Sequence, residues 1–119
     1  MGQQASIFVV EDEAIIRMML AEMVEELGHR VVAEAGSIAD AEPLARIAAF
    51  DLAILDINVG GHLIIPVAKI LDSRRLPFFF VTGYTKPPLP EQFGGRKILQ
   101  KPFLIDKLRD TINSILANS

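Results

Sequence analysis

The sequence predicts an open α/β fold, a parallel sheet with helices packed on both faces. Five short apolar runs, at 6–10, 31–35, 52–55, 78–81 and 98–99, are continuous rather than alternating, as in strands buried on both sides. Between them, apolar residues recur at spacings of three and four, the period of helices with one buried face. Strands alternating with helices build right-handed βαβ units and hence a single open sheet.

The elements follow in order. Ile16, Leu20, Met23 and Leu27 mark the inner stripe of a first helix that stops at Gly28. Ser37 suits the cap of a second helix, with Ala41, Leu44 and Ala48 inward. Pro66, after Gly60 and Gly61, fits the first turn of a third helix that runs to about Ser73. A last helix starts near Leu104 and buries Ile105, Leu108, Ile112 and Ile115. One stretch breaks the rhythm: in YTKPPLPEQFGG, Pro87, Pro88 and Pro90 cannot occupy the middle of a regular helix, so the fourth helix is expected to be short, late or irregular. Phe50, Phe78, Phe79, Phe80 and Phe103 are expected in the core, and His29 and His62, far apart and without partner ligands, at the surface. Phe93 is read either as a docking residue or as a plug over the altered helix.

Composition narrows the function. A chain of 119 residues, half of them hydrophobic and 23% charged, has room for one domain with a real core, residues 1–119. Its net charge of -3 argues against nucleic acid as direct partner, because such binders present a basic face to phosphates. No cysteine is present, so disulfides and thiolate metal sites are excluded and a reducing, cytoplasmic location is expected. No apolar run approaches the roughly 20 residues of a bilayer span, and the first residues lack a signal-peptide pattern, so membrane insertion is not expected.

In an open parallel sheet, ligands bind beyond the carboxyl ends of the strands. Those ends carry Glu11-Asp12-Glu13, Asp56-Ile57-Asn58, Thr82-Gly83-Tyr84 and Lys101-Pro102-Phe103. Taken singly, Asp56 also suits a turn, and Glu11 and Asp12 also suit the first turn of a helix. Together, three carboxylates at one place repel one another unless a divalent cation lies among them, and hard oxygen ligands suit Mg2+. A hydroxyl at Thr82 and an ammonium at Lys101 would then serve a phosphoryl group, with Asp56 as the nucleophile that becomes an aspartyl phosphate.

These residues, in this order and spacing, resemble the receiver domain of two-component response regulators over essentially the whole chain. The resemblance implies a flavodoxin-like (βα)5 sandwich with a five-stranded parallel sheet of order 2-1-3-4-5. It further implies that Glu11, Asp12 and Asp56, with the backbone carbonyl of Asn58, bind Mg2+. Asp56 would accept the phosphoryl group from a sensor histidine kinase or a histidine phosphotransfer protein, Thr82 would hydrogen-bond it and Lys101 would pair with it. In that family the bond before the proline is commonly cis, which would aim Lys101 inward. The stretch Phe80-Val81-Thr82-Gly83-Tyr84 looks like the FAT GUY subgroup of single-domain regulators, with Val81 in place of the usual alanine, and makes Gly83 and Tyr84 the candidates for switching. Gly83 is expected to allow close approach or unusual backbone angles. Receivers usually carry a switching aromatic three residues before the lysine, and here that residue is Ile98.

A signalling protein rather than an enzyme is therefore expected. A hydrolase working through an aspartyl phosphate would need a second aspartate two residues past the nucleophile, where Asn58 stands. The remaining alternative is an interaction module that keeps the fold without the phosphoryl chemistry. With no output domain expected after the last helix, the signal would pass by contact with a downstream protein or by phosphorelay, through the proline-containing segment and the last helix, with Tyr84, Leu89 and Phe93 as contacts.

Overall fold

The structure, a computed structural model, describes residues 4–117. Five strands form the parallel sheet: β1 (Ser6–Val10), β2 (Arg30–Ala35), β3 (Leu52–Asp56), β6 (Phe78–Thr82) and β7 (Ile98–Gln100). Between β3 and β6 lies an antiparallel pair, β4 (Asn58–Val59) and β5 (His62–Leu63). The sheet order is β2-β1-β3-β6-β7, which for the five long-range strands is the expected 2-1-3-4-5. The helices are α1 (Ala14–Glu26), α2 (Ile38–Ile47), α3 (Ile65–Ser73) and α4 (Ile105–Ala117).

Side chains on a strand alternate between its faces, so each continuous apolar run feeds two cores. Ile7, Val9, Leu52, Ile54, Phe79 and Val81 pack under α1 and α4, against Leu20, Val24, Leu108 and Ile112. Phe8, Val10, Ala53, Leu55, Phe78 and Phe80 face the opposite way, against α2 and α3. That double burial is why the sequence shows no polar alternation in β1, β3 and β6.

The helix punctuation behaves as read. Gly28 follows α1 with φ +93°, and the amides of Gly28 and His29 close back onto Glu25 and Val24. Ser37 accepts a hydrogen bond from the Asp40 amide at 3.1 Å. Pro66 sits in the first turn of α3. The centres of the buried stripes differ slightly: Val24 and Ala45 are fully buried, while Ile16, Met23, Leu27, Leu44, Ala48, Ile105 and Ile115 are half-buried. Phe50 is in the core, and Phe103 is half-buried against the α1–α4 side.

Where the fourth helix was expected to be irregular, a single 3-10 turn spans Glu91–Phe93. Phe93 plugs the gap. It is fully buried, with its ring centroid 5.9 Å from Phe78 and 6.0 Å from Phe80 in edge-to-face contact. Its docking role is thereby corrected, and Leu89 is half-buried against the same core. His29 is also corrected. It is buried, its Nδ1 accepts the Ala5 amide proton at 3.0 Å, and burial lowers its pKa. A lone histidine supplying an acceptor for a strand-end amide carries no periodic signal in sequence.

Candidate functional site

The carboxyl ends of β1, β3, β6 and β7 bring the predicted residues together around a cleft of about 390 Å3. One oxygen from each of Glu11, Asp12 and Asp56 lies within 4.8 Å of the others. Glu11, Asp56 and Thr82 are buried, while Asp12 is exposed at the rim.

Lys101 is the internal cation of this cluster. Its Nζ donates to Glu11 Oε1 at 2.7 Å and to Asp56 Oδ2 at 3.1 Å. The Lys101–Pro102 peptide is cis, and the Lys101 amide donates to the Thr82 carbonyl at 2.7 Å, which ties the end of β7 to the end of β6. Burial acts to lower the lysine's pKa, but the hydrogen bonds and charges of Glu11 and Asp56 outweigh it, so the ammonium is held more firmly protonated than usual. For Glu11 burial dominates: its pKa is pushed up to about 7 despite the bond to Lys101, and the nearby Asp56 charge adds to the rise. Asp12 goes the other way: burial is the largest single influence and raises its pKa, but the Gly60 amide, which donates to its Oδ2 at 3.0 Å, together with hydrogen bonds from Glu11 and its own backbone and the Lys101 charge, outweighs it, and the carboxyl sits below its ordinary range.

Glu11 is also fixed from behind. Arg17 Nη1 donates to the Glu11 carbonyl at 2.7 Å, and Arg17 Nε lies 3.5 Å from Glu34 Oε1. This guanidinium fills the space beside Gly36, where an added Cβ would lie 2.8 Å from Nη1. No periodic signal points to this support, because Arg17 lies on α1 and Gly36 in the loop after β2.

The β4–β5 hairpin was likewise missed. Gly60 and Gly61 occupy its two-residue turn with φ +59° and +83°, the left-handed angles that such a turn demands of both residues. Gly-Gly between two short flanking pairs was the available signal. The hairpin holds Asn58 at the cleft mouth. The Asn58 amide donates to Asp56 Oδ1 at 3.3 Å, its side-chain oxygen accepts from Gly61 at 3.0 Å, and its Nδ2 donates to the Tyr84 hydroxyl at 2.9 Å. Tyr84 is therefore at the rim, 43% exposed, rather than in the core. Thr82 Oγ1 accepts the Tyr84 amide proton at 3.0 Å, which leaves the hydroxyl proton to donate into the cleft. Gly83 is corrected: its φ lies outside the left-handed region and a Cβ there would meet nothing within 4 Å. Ile98 is 40% exposed on β7.

The family model for the response regulator receiver domain matches residues 7–113. The chain belongs to the response regulator receiver family. Among proteins similar to this receiver is the transcriptional regulatory protein PdtaR of Mycobacterium tuberculosis, 37% identical over 106 residues, which cover 86% of this chain and 52% of PdtaR. The receiver thus spans about half the length of that relative. The solution structure of SdrG from Sphingomonas melonis is 36% identical with a TM-score of 0.83, covering 98% of this chain and 99% of SdrG. The anti-anti-sigma factor PhyR from Bartonella quintana is 27% identical with a TM-score of 0.85 over 98% of this receiver and 49% of that chain. These neighbours are consistent with the FAT GUY reading of residues 80–84. Among the described residues, no helix is long and apolar enough to cross a membrane.

The donor set fits a hard divalent cation. Three carboxylates face one lysine, so the cluster keeps excess negative charge, and its hard oxygen donors are of the kind that Mg2+ takes. With the Glu11 pKa pushed up to about 7, Mg2+ bound at this cluster would compete with a proton on Glu11. Mg2+ affinity is therefore expected to rise with pH between 6 and 7, by up to about tenfold per unit, and to level off above. Tyr84, the only tyrosine in a chain without tryptophan, reports the titration by its fluorescence. An affinity independent of pH over this range would remove Glu11 from the metal-binding set.

Proposed function

We propose that this receiver takes a phosphoryl group onto Asp56 from a phosphohistidine donor, with Mg2+ bound by Glu11, Asp12, Asp56 and the Asn58 backbone carbonyl. The observation that carries the reading is Lys101 Nζ bridging Glu11 and Asp56 at 2.7 and 3.1 Å, beside a buried threonine hydroxyl. When bound, Mg2+ supplies positive charge to the phosphoryl oxygens and neutralises the acids around them.

The chain's own residues do the rest. An Asp56 carboxylate oxygen forms the new bond to phosphorus as the phosphorus–nitrogen bond of the donor breaks, and the leaving imidazole nitrogen keeps the electron pair and takes up a proton. Lys101, locked in its charged form, turns from Asp56 to the arriving oxygens. Thr82 donates its hydroxyl proton to one of them. Tyr84, held over the mouth by Asn58, limits the approach of water to the acyl phosphate and is the candidate for reporting its presence, with Gly83 beside it.

Donor contact is favoured on α1 next to the cleft, where Ile15, Met18 and Met19 are 71%, 55% and 52% exposed. A sensor histidine kinase or histidine phosphotransfer protein is the implied donor, and a cytoplasmic location fits such a partner. Onward signalling by contact or phosphorelay completes the reading. Incubation with phosphoramidate and Mg2+ should add one phosphoryl group, seen by intact mass, and chelation should prevent it. Equal labelling with and without Mg2+ would count against the metal, and no labelling under either condition would favour the second reading, an interaction module independent of phosphorylation. Ile98, exposed where an aromatic switch would stand, is the observation on that side.

A further inference from the structure

We propose that the cleft at the amino ends of β6 and β7, at the opposite pole from Asp56, is a docking groove for an acidic, partly apolar segment of a partner protein. The cleft has a volume of about 720 Å3, with Leu76, Pro77 and Ile115 on its apolar side and Arg75, Arg96 and Lys97 as its cations. In a chain with net charge -3 this is a local concentration of positive charge. Asp72, the acid in its lining, is already paired with Arg96 at 2.6 Å. Among the described residues, neither Arg75 nor Lys97 has an ion-pair partner.

Arg75 is the informative residue. α3 closes with the amides of Arg75 and Leu76 bonded back to Asp72 and Leu71, and Arg75 takes φ +59°. At the corresponding place after α1 the chain uses Gly28, the unstrained choice for a left-handed residue. An arginine accepts backbone strain there, against which its charge gains a favourable interaction with the carboxyl end of α3. What it adds is a cation at the groove. The neighbouring Arg96 is preorganised, since its guanidinium lies 4.1 Å from the Phe78 ring centroid and is braced by Asp72. Its remaining donors are available to a carboxylate.

The shape and chemistry select the occupant. A lone phosphate has no use for the apolar side, and Phe78, covered by Arg96 and 2% exposed, offers no ring face on which a nucleotide base could stack. A polypeptide segment with interspersed acids and aliphatic residues satisfies both parts of the lining. The groove stands apart from the phosphoryl chemistry, although β6 and β7 run from it to Thr82 and Lys101.

The test titrates isotope-labelled protein with a synthetic peptide repeating Glu-Glu-Leu and follows backbone amide shifts. Shifts are expected at 75, 76, 78 and 95–97, weakening with added salt. Arg75→Gly is the decisive variant: its melting temperature should rise as the strain is relieved, while peptide affinity falls by up to about fivefold, the scale of one exposed charge pair. Lys97→Glu should weaken binding further without unfolding the chain. The proposal is overturned if affinity is unchanged in both variants or if the shifts fall elsewhere. It is equally overturned if a Gly-Ser-Leu peptide binds as well, or if sodium phosphate or ATP produces the same shifts at lower concentration.

Discussion

Asp56→Asn is expected to abolish phosphoryl uptake, lowering the labelling rate by roughly a thousandfold or more, because the amide oxygen cannot serve as the nucleophile. The fold should survive. An asparagine oxygen still accepts the Asn58 amide or the Lys101 ammonium, and the substitution removes one of three mutually repelling carboxylates. Without Mg2+ the variant should therefore be at least as stable as the native protein, which separates chemical loss from misfolding. Time courses with phosphoramidate, read by intact mass beside a thermal melt, make the comparison. Labelling at the native rate would place the acceptor at another residue.

Phe93→Ala is expected to cost about 3–5 kcal/mol, the range for removing a fully buried aromatic side chain. Against a total stability of roughly 5–15 kcal/mol for a domain, that is a large share. The loss is concentrated because Phe93 is the anchor of a segment with only one 3-10 turn of regular structure, and its ring closes a three-way aromatic contact with Phe78 and Phe80. Phe93→Leu, which keeps much of the volume, should recover more than half of the deficit. Urea midpoints at constant slope give the values. A change below about 1 kcal/mol for the alanine variant would mean that the segment is not pinned by this side chain.

Sequence reasoning found what is periodic or polar in an unexpected place. Strands buried on both faces wrote themselves as unbroken apolar runs, Gly28 and Ser37 marked helix ends, and three prolines forbade a regular fourth helix. Glu11, Asp56, Thr82 and Lys101, which the structure brings together, were legible because each stands at or just past the end of a strand that begins as an apolar run. The supports were not, since they depend on distance between elements. Arg17 on α1 reaches back to the Glu11 carbonyl, Gly60 reaches across to Asp12, and His29 meets Ala5 from a loop. Phe93 lay between the two kinds: its apolarity was plain, but only the packing decides between plug and contact. Gly83, placed in a sequence motif, proved to have ordinary angles and open space around it.

The guanidinium of Arg17 carries a consequence for how this sequence can drift. It occupies the volume that a side chain at position 36 would need, so a methyl there displaces Nη1 and releases the Glu11 carbonyl. The end of a flexible side chain moves aside easily, and the price falls on the positioning of an acidic residue rather than on the backbone. Positions 17 and 36 should then change as a pair across related sequences, a long arginine with glycine and a shorter residue with alanine or serine. Gly36 is thus a reserved space, and its identity is set by a neighbour's reach.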